Sequence, residues 1–310
     1  MKWTLIFLFA LVIAIAGTSA IKRIDPPLLP SLSAYHLDSD PGFIKYELAT
    51  PLFSDYAEKE RGIKIPKGAT LTITGDGLPV FPDGTILVKT FFYWLDKRDT
   101  TKGKQLIETR LLIKAAGGWQ AGTYVWNKEQ KEALLTRSGL KTPVNWIDEA
   151  GTNRSIHYQV PTNGQCATCH NANKEIIPIG FKVRNLNIPV TRNGRVVNQL
   201  TWFAERKITV PVDPANYTAL PVWNDSSMSP EKRARAYLDV NCAHCHNESG
   251  YCSRSDFRPA YENTLVRTKI ADKKKRILSF LRSGRMPQLG ITVVHQEGLR
   301  LIENYLNNNK

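Results

Sequence analysis

Two stretches of the chain repeat one arrangement of reactive side chains: Cys166-Ala167-Thr168-Cys169-His170 and Cys242-Ala243-His244-Cys245-His246. Two thiols at this spacing can reach two vinyl groups on one edge of a porphyrin and add to each as a thioether. The histidine that follows then turns beneath the macrocycle and offers its imidazole to iron. C-x-x-C-H is the attachment pattern of c-type heme for that reason. Four of the five cysteines fall in these motifs, and both motifs continue as C-A-x-C-H-N. A four-thiolate zinc site or a pair of redox disulfides could use the same cysteine spacing. Neither calls for a histidine directly after both second cysteines. The expectation is two covalently attached heme c groups, held by Cys166 and Cys169 and by Cys242 and Cys245. His170 and His246 are the expected proximal ligands.

The sixth ligands are less evenly supplied. Met286 lies forty residues after His246, within Arg285-Met286-Pro287-Gln288. A thioether sulfur prefers ferrous over ferric iron and so raises a reduction potential; Met286 is the expected sixth ligand of the second heme. No methionine lies between His170 and Met228, and Met228 sits in a polar stretch. His36, His157, His244 and His295 are further options, each first read as a surface or hydrogen-bonded histidine. The first iron is therefore expected to be five-coordinate or to take a small ligand. Cys252 stands outside both motifs and reads as a small, part-buried residue, with an intermolecular disulfide as the alternative.

The elements that must hold these groups are of two kinds, which makes the expected fold class α+β. Residues 21–160 read as an antiparallel β-rich domain, with a sandwich as one architecture. Residues 21–50 are irregular and carry Pro26, Pro27, Pro30 and Pro41. Strands are expected at Ala69–Thr74, Ile86–Leu95, Leu106–Ile113, Gln120–Trp126 and Ser155–Val160, with a turn at Gly117-Gly118. Trp94, Trp119, Trp126 and Trp146 read as core residues. Residues 161–210 form the first heme segment, with a helix expected near Val197–Lys207. Residues 211–228, rich in proline and small polar residues, read as a linker. Residues 229–310 form the last unit. Ser229-Pro230-Glu231 is a helix start, a serine cap followed by proline at the first helical position. The pattern Ala234, Tyr237, Leu238, Asn241 leads into Cys242. Thr292 is the expected cap of a terminal helix through about Leu306, with Leu301, Ile302, Tyr305 and Leu306 on its apolar side.

The first twenty residues have a different task. Lys2 gives a positive start, Leu5–Ala16 is unbroken and apolar, and Gly17-Thr18-Ser19-Ala20 offers small residues for cleavage. This pattern predicts a secretory signal peptide over residues 1–20; a membrane span needs about 20 apolar residues. The formal charge of +14 makes acidic proteins or membrane surfaces the natural partners. An exported chain rarely meets nucleic acid, so none is expected as a partner. Membrane association is compatible with a mature chain that has no transmembrane helix. Lys273, Lys274, Lys275, Arg276, Arg282 and Arg285 cluster near Met286 in sequence, either to steer an acidic redox partner or simply as a solvated charge run.

Helix, C-x-x-C-H, Met-Pro loop and terminal helix together resemble a class I cytochrome c domain over residues 229–307. By the same similarity, the carbonyl of Pro178 would accept the ring N–H of His170. Further stretches resemble an uncharacterised family of exported diheme c-type cytochromes with a β-rich N-terminal region. They are Thr50–Lys59, Ile107–Leu112, Tyr124–Asn127, Pro178–Gly180, Ala234–His246 and Arg285–Gly290. The resemblance implies two covalent hemes and electron transfer in the periplasm. The alternative is a diheme peroxidase or oxidase whose first heme is open, although no distal acid–base pair can be named for it.

Overall fold

A computed structural model describes residues 27–115 and 118–308. The signal-peptide reading of residues 1–20, and Gly117 of the expected turn, lie outside the described residues.

Six strands form one antiparallel sheet in sequence order: β1 (Phe43–Lys45), β2 (Glu58–Lys64), β3 (Ile86–Trp94), β4 (Lys104–Ala115), β5 (Gly118–Trp126) and β6 (Ala133–Thr136). Its central strands are rich in β-branched and aromatic residues, which suit a pleated, half-buried surface. Alternation then sorts the side chains onto two faces. Val88, Leu111 and Tyr124 pack beneath Leu37 and the N-terminal segment. Ile63 and Leu87 face the other way, onto Phe181, Leu186, Leu200 and Phe203. A hairpin of β7 (Leu140–Ile147) and β8 (Asn153–Val160) brings Val144, Trp146, Ile156 and Tyr158 onto Phe91 and Tyr93. The β-rich expectation therefore describes one large sheet with a two-stranded second layer.

The strand expected at Ala69–Thr74 does not form. Only isolated bridges occur there, Leu71 to Thr209 and Thr72 to Val80. Of the four tryptophans, Trp146 is buried and the other three are half-buried.

The first motif occupies α1 (Asn163–Cys169). A reciprocal capping box starts this helix: Thr162 Oγ1 accepts from the Gln165 N–H, and Gln165 Oε1 accepts from the Thr162 N–H at 2.9 Å. Small elements follow: β9 (Asn171–Ala172), β10 (Glu175–Ile176), α2 (Val183–Leu186), β11 (Pro189–Arg192), β12 (Arg195–Asn198) and α3 (Gln199–Glu205). The expected helix thus begins at Gln199, because β-branched Val196 and Val197 pair across a hairpin instead. Residues 211–228 are docked and do not act as a free spacer. Leu220 and Pro221 are buried, and the Pro221 carbonyl accepts from Thr50 Oγ1 at 2.7 Å.

The second motif follows α4 (Pro230–Asn241), which starts at the expected Ser229 cap. Then come α5 (Leu265–Thr268), α6 (Lys274–Arg282) and α7 (Gln296–Asn308). Ala234, Tyr237 and Leu238 of α4 share a core with Leu301, Ile302 and Tyr305 of α7. Each large apolar side chain in such a core contributes roughly 1.5–3 kcal/mol. The helix expected to start at Thr292 starts at Gln296. Thr292 is held elsewhere, its N–H and hydroxyl both donating to Asp55 at 2.7 and 2.8 Å. Asp55 also accepts from the Val293 N–H, and Tyr56 Oη donates to Glu297 at 2.9 Å. The Thr50–Ala57 segment thereby fastens the sheet to the C-terminal helices.

Candidate heme sites

Helix α1 sets Cys166 against the sheet, its Sγ 3.9 Å from Thr123 Oγ1 on β5. His170 caps the helix. Its Nδ1 lies 2.8 Å from the Ile177 carbonyl, a contact in which nitrogen must donate. Nε2 then carries the lone pair a metal requires. The acceptor is one residue earlier than the expected Pro178, because the β9–β10 hairpin returns Ile177 to the helix end; the Ile177 N–H also donates to the His170 carbonyl. Burial first, and the Lys89 charge second, push the His170 pKa down to about 3. The ring is neutral at physiological pH.

Cys166 and His170 line a cavity of about 90 Å³, with Leu87, Lys89, Arg110 and Phe181 among its walls. This is smaller than the 300–1,000 Å³ usual for cofactor pockets. The match at this site is therefore in the donor set: the Cys166 thiol, an oriented imidazole and a cationic wall, while Cys169 borders the second cavity.

The second site matches in volume as well. Cys242, Cys245, His246 and Met286 line one cavity of about 550 Å³, together with Leu238 and Phe257. His246 sits edge-on to Phe257, with ring centroids 5.2 Å apart. Burial chiefly, then Arg258, pushes its pKa down to about 4. Its Nδ1 is buried without a hydrogen-bond partner, a situation that costs about 1–3 kcal/mol. His246 and Met286, the ligands expected from the sequence, thus border the same space as the Cys242 and Cys245 thiols.

The motifs also touch. Ligand atoms of Cys169, His244 and Cys245 all lie within 4.8 Å of one another. Contact with the Cys245 thiol, then with His244, holds the Cys169 thiol below its ordinary pKa. Cys166 and Cys242 stand outside this cluster, so the four motif thiols do not converge as a four-thiolate zinc site requires. Cys252 is half-buried and lines the second cavity.

None of the other options for the first iron lines its cavity. His36 and His157 are exposed. Met228 sits in a turn, its N–H donating to the Asp225 carbonyl. His295 stacks on Phe53 at 4.1 Å and meets Tyr237 Oη at 2.9 Å. His244 belongs to the cysteine cluster.

The sequence reading missed Arg61, Lys89 and Arg110, which also line the first cavity. A lone lysine in the apolar run Ile86–Trp94 was the available signal. Near the second cavity, Lys273 pairs with Asp256 at 2.5 Å and Arg282 with Glu303 at 2.7 Å. Arg276 and Arg285 lie over Phe280. Among the described residues no helix is long and apolar enough to cross a membrane.

Comparison of the chain with protein-family models, with curated proteins and with solved structures finds no match. The functional reading rests on the residues themselves.

Proposed function

We propose that this chain is an exported diheme c-type cytochrome that passes electrons in the periplasm, its C-terminal unit being cytochrome c-like. The observation that carries the reading is the shared cavity of Cys242, Cys245, His246 and Met286. Bound at the two motifs, heme iron supplies one-electron chemistry. The chain does the rest. Ile177 fixes the tautomer of His170. Leu238, Phe257, Ile277 and Phe280 give the second cavity apolar walls, which disfavour the extra charge of ferric iron and keep water away. Cys169 and Cys245 bring the two attachment points together. Lys273 and Arg276 on the second cavity, with exposed Lys275 nearby, suit an acidic redox partner.

Intact mass of protein secreted by a host competent for cytochrome maturation tests the reading. The expected mass is the processed chain plus two hemes. A colourless product with the mass of the bare processed chain would end the proposal.

One observation favours a second reading, a diheme peroxidase or oxidase. The residues lining the first cavity include no methionine, and His170 is their only histidine. Carbon monoxide added to the reduced protein separates the two. Prompt binding at one heme per chain supports the enzyme; no binding supports electron transfer alone.

A further inference from the structure

The sheet face toward His170 is apolar along most of its area but crossed by a row of cations. Arg61 on β2 pairs in register with Lys89 on β3, Lys89 with Arg110 on β4, and Arg110 with Thr123 on β5. Residues directly opposite one another across neighbouring strands share a face, and like charges so placed are destabilising. The row on one side is apolar, Ile63, Leu87 and Leu112; the row on the other is Lys59, Phe91 and Glu108, where Lys59 Nζ donates to the Ala57 carbonyl at 2.7 Å and Glu108 pairs with Arg110.

Arg110 is already neutralised, its guanidinium donating twice to Glu108. Arg61 and Lys89 are different. Arg61 donates only to the Lys59 carbonyl, at 3.4 Å. Lys89 lies over the Phe91 ring at 5.0 Å. Among the described residues neither has a carboxylate within ion-pair distance. Both are only partly exposed and both border the first cavity. Two part-buried cations without counter-charge are costly unless an anion arrives.

The row also has a direction. It starts at Thr123, beside the attachment thiol Cys166, and reaches Arg61 three strands later, about 14 Å away at the usual strand spacing. In heme the two carboxylates leave from the edge opposite the vinyl-bearing rings. A macrocycle pinned at Cys166 therefore carries its carboxylates away from Thr123, toward the cations that lack partners. We propose that Arg61 and Lys89 bind the two carboxylates of the heme attached at Cys166 and Cys169, an inference that rests on the diheme reading. Two cations then meet two anions, and the strain of the row is relieved by the cofactor itself. The rival source of negative charge is a free small anion drawn to the same wall.

Arg61→Gln and Lys89→Gln, compared with wild type, Lys89→Arg and the exposed-site control Lys67→Gln, test this in the heme-loaded protein. Intact mass is read first: a chain with no heme overturns the diheme reading and this inference with it. With two hemes present, the heme-carboxylate bending band in resonance Raman should move in Arg61→Gln and Lys89→Gln. The potential of the first heme should fall in both, because a nearby positive charge has been removed, while that of the second stays fixed. Lys89→Arg and Lys67→Gln should match wild type. Two hemes with an unmoved band and unmoved potential would overturn the assignment. So would a saturable spectral response to nitrite in wild type that disappears in Lys89→Gln without any change in the carboxylate band.

Discussion

An imidazole binds iron only through a free lone pair, so each proximal histidine must be neutral and aimed. His170 meets both needs, through burial and through the Ile177 carbonyl. The two motifs stand out in the sequence because their spacing suits covalent attachment. The Ile177 contact does not, because a hairpin register decides which carbonyl arrives. Met286 is expected from its loop, and its place on the cavity that His246 also lines sets the first prediction. Met286→Ala should abolish the red charge-transfer band of methionine-bound ferric heme and lower the potential of the second heme. Absorption spectra and a redox titration check this; an unchanged band would remove Met286 from the ligand set. His295 offers a test on stability. Burial holds its pKa down to about 4, against an ordinary 6.5. Between those values the unfolded chain binds the proton more readily than the folded one, so stability is full above pH 6.5 and is lost as pH falls toward 4. The loss should reach on the order of 2–3 kcal/mol at pH 4. Urea midpoints across that range should show less of this slope in His295→Gln.

Elements were legible where periodicity was long and undisturbed. Strand β3 and helix α4 were read within a residue or two, since alternation and the Ser229-Pro230 start are local signals. Thr292 misled because a threonine ahead of an apolar pattern suits a cap, whereas Asp55, far away in sequence, claims it. The crossing of α4 and α7 was equally invisible, yet it depends on one glycine. A Cβ added at Gly298 would stand 2.4 Å from Tyr237 Oη and 2.7 Å from His295 Nδ1. Alanine gains about 1 kcal/mol over glycine in a helix interior. Overpacking a tight core contact costs about 1–3 kcal/mol, and the buried Tyr237 ring has little room to retreat. Gly298→Ala should therefore destabilise the protein by up to about 2 kcal/mol on these figures. Gly164→Ala, in α1, is the contrast: its nearest neighbour would be 3.9 Å away, so it should be neutral or slightly stabilising. Chemical denaturation of both variants measures the difference, and equal effects would refute the close-crossing argument.

At the scale of the molecule, the sequence suggested separate units joined by a linker, and long-range side-chain contacts run between those units. The Asp55 clasp to Thr292 and the ion pair of Lys182 with Asp239 at 2.9 Å are both long-range, and no local pattern announces either. The exposed basic residues beside the second cavity should act on the partner and leave the fold intact. Lys275→Glu with Arg276→Glu should slow electron exchange with an acidic partner by about tenfold at low salt. The effect should fade as ionic strength rises and screening takes over; an unchanged salt dependence would exclude steering. The contact between motifs has the wider consequence. In the proposed reading Cys169 and Cys245 would attach different hemes, and their sulfurs lie within 4.8 Å of each other. Macrocycles bonded there cannot be remote, so their strong Soret transitions must couple. The expected signature is a two-signed circular dichroism band in the Soret region of the diheme protein. Cys169→Ser, which leaves the first heme tethered through Cys166 alone, should loosen one edge and weaken the couplet while the intact mass still counts two hemes. A single-signed Soret band in protein carrying both hemes would mean that the two attachment points separate on loading. Direct exchange between the hemes would then need another route through the protein.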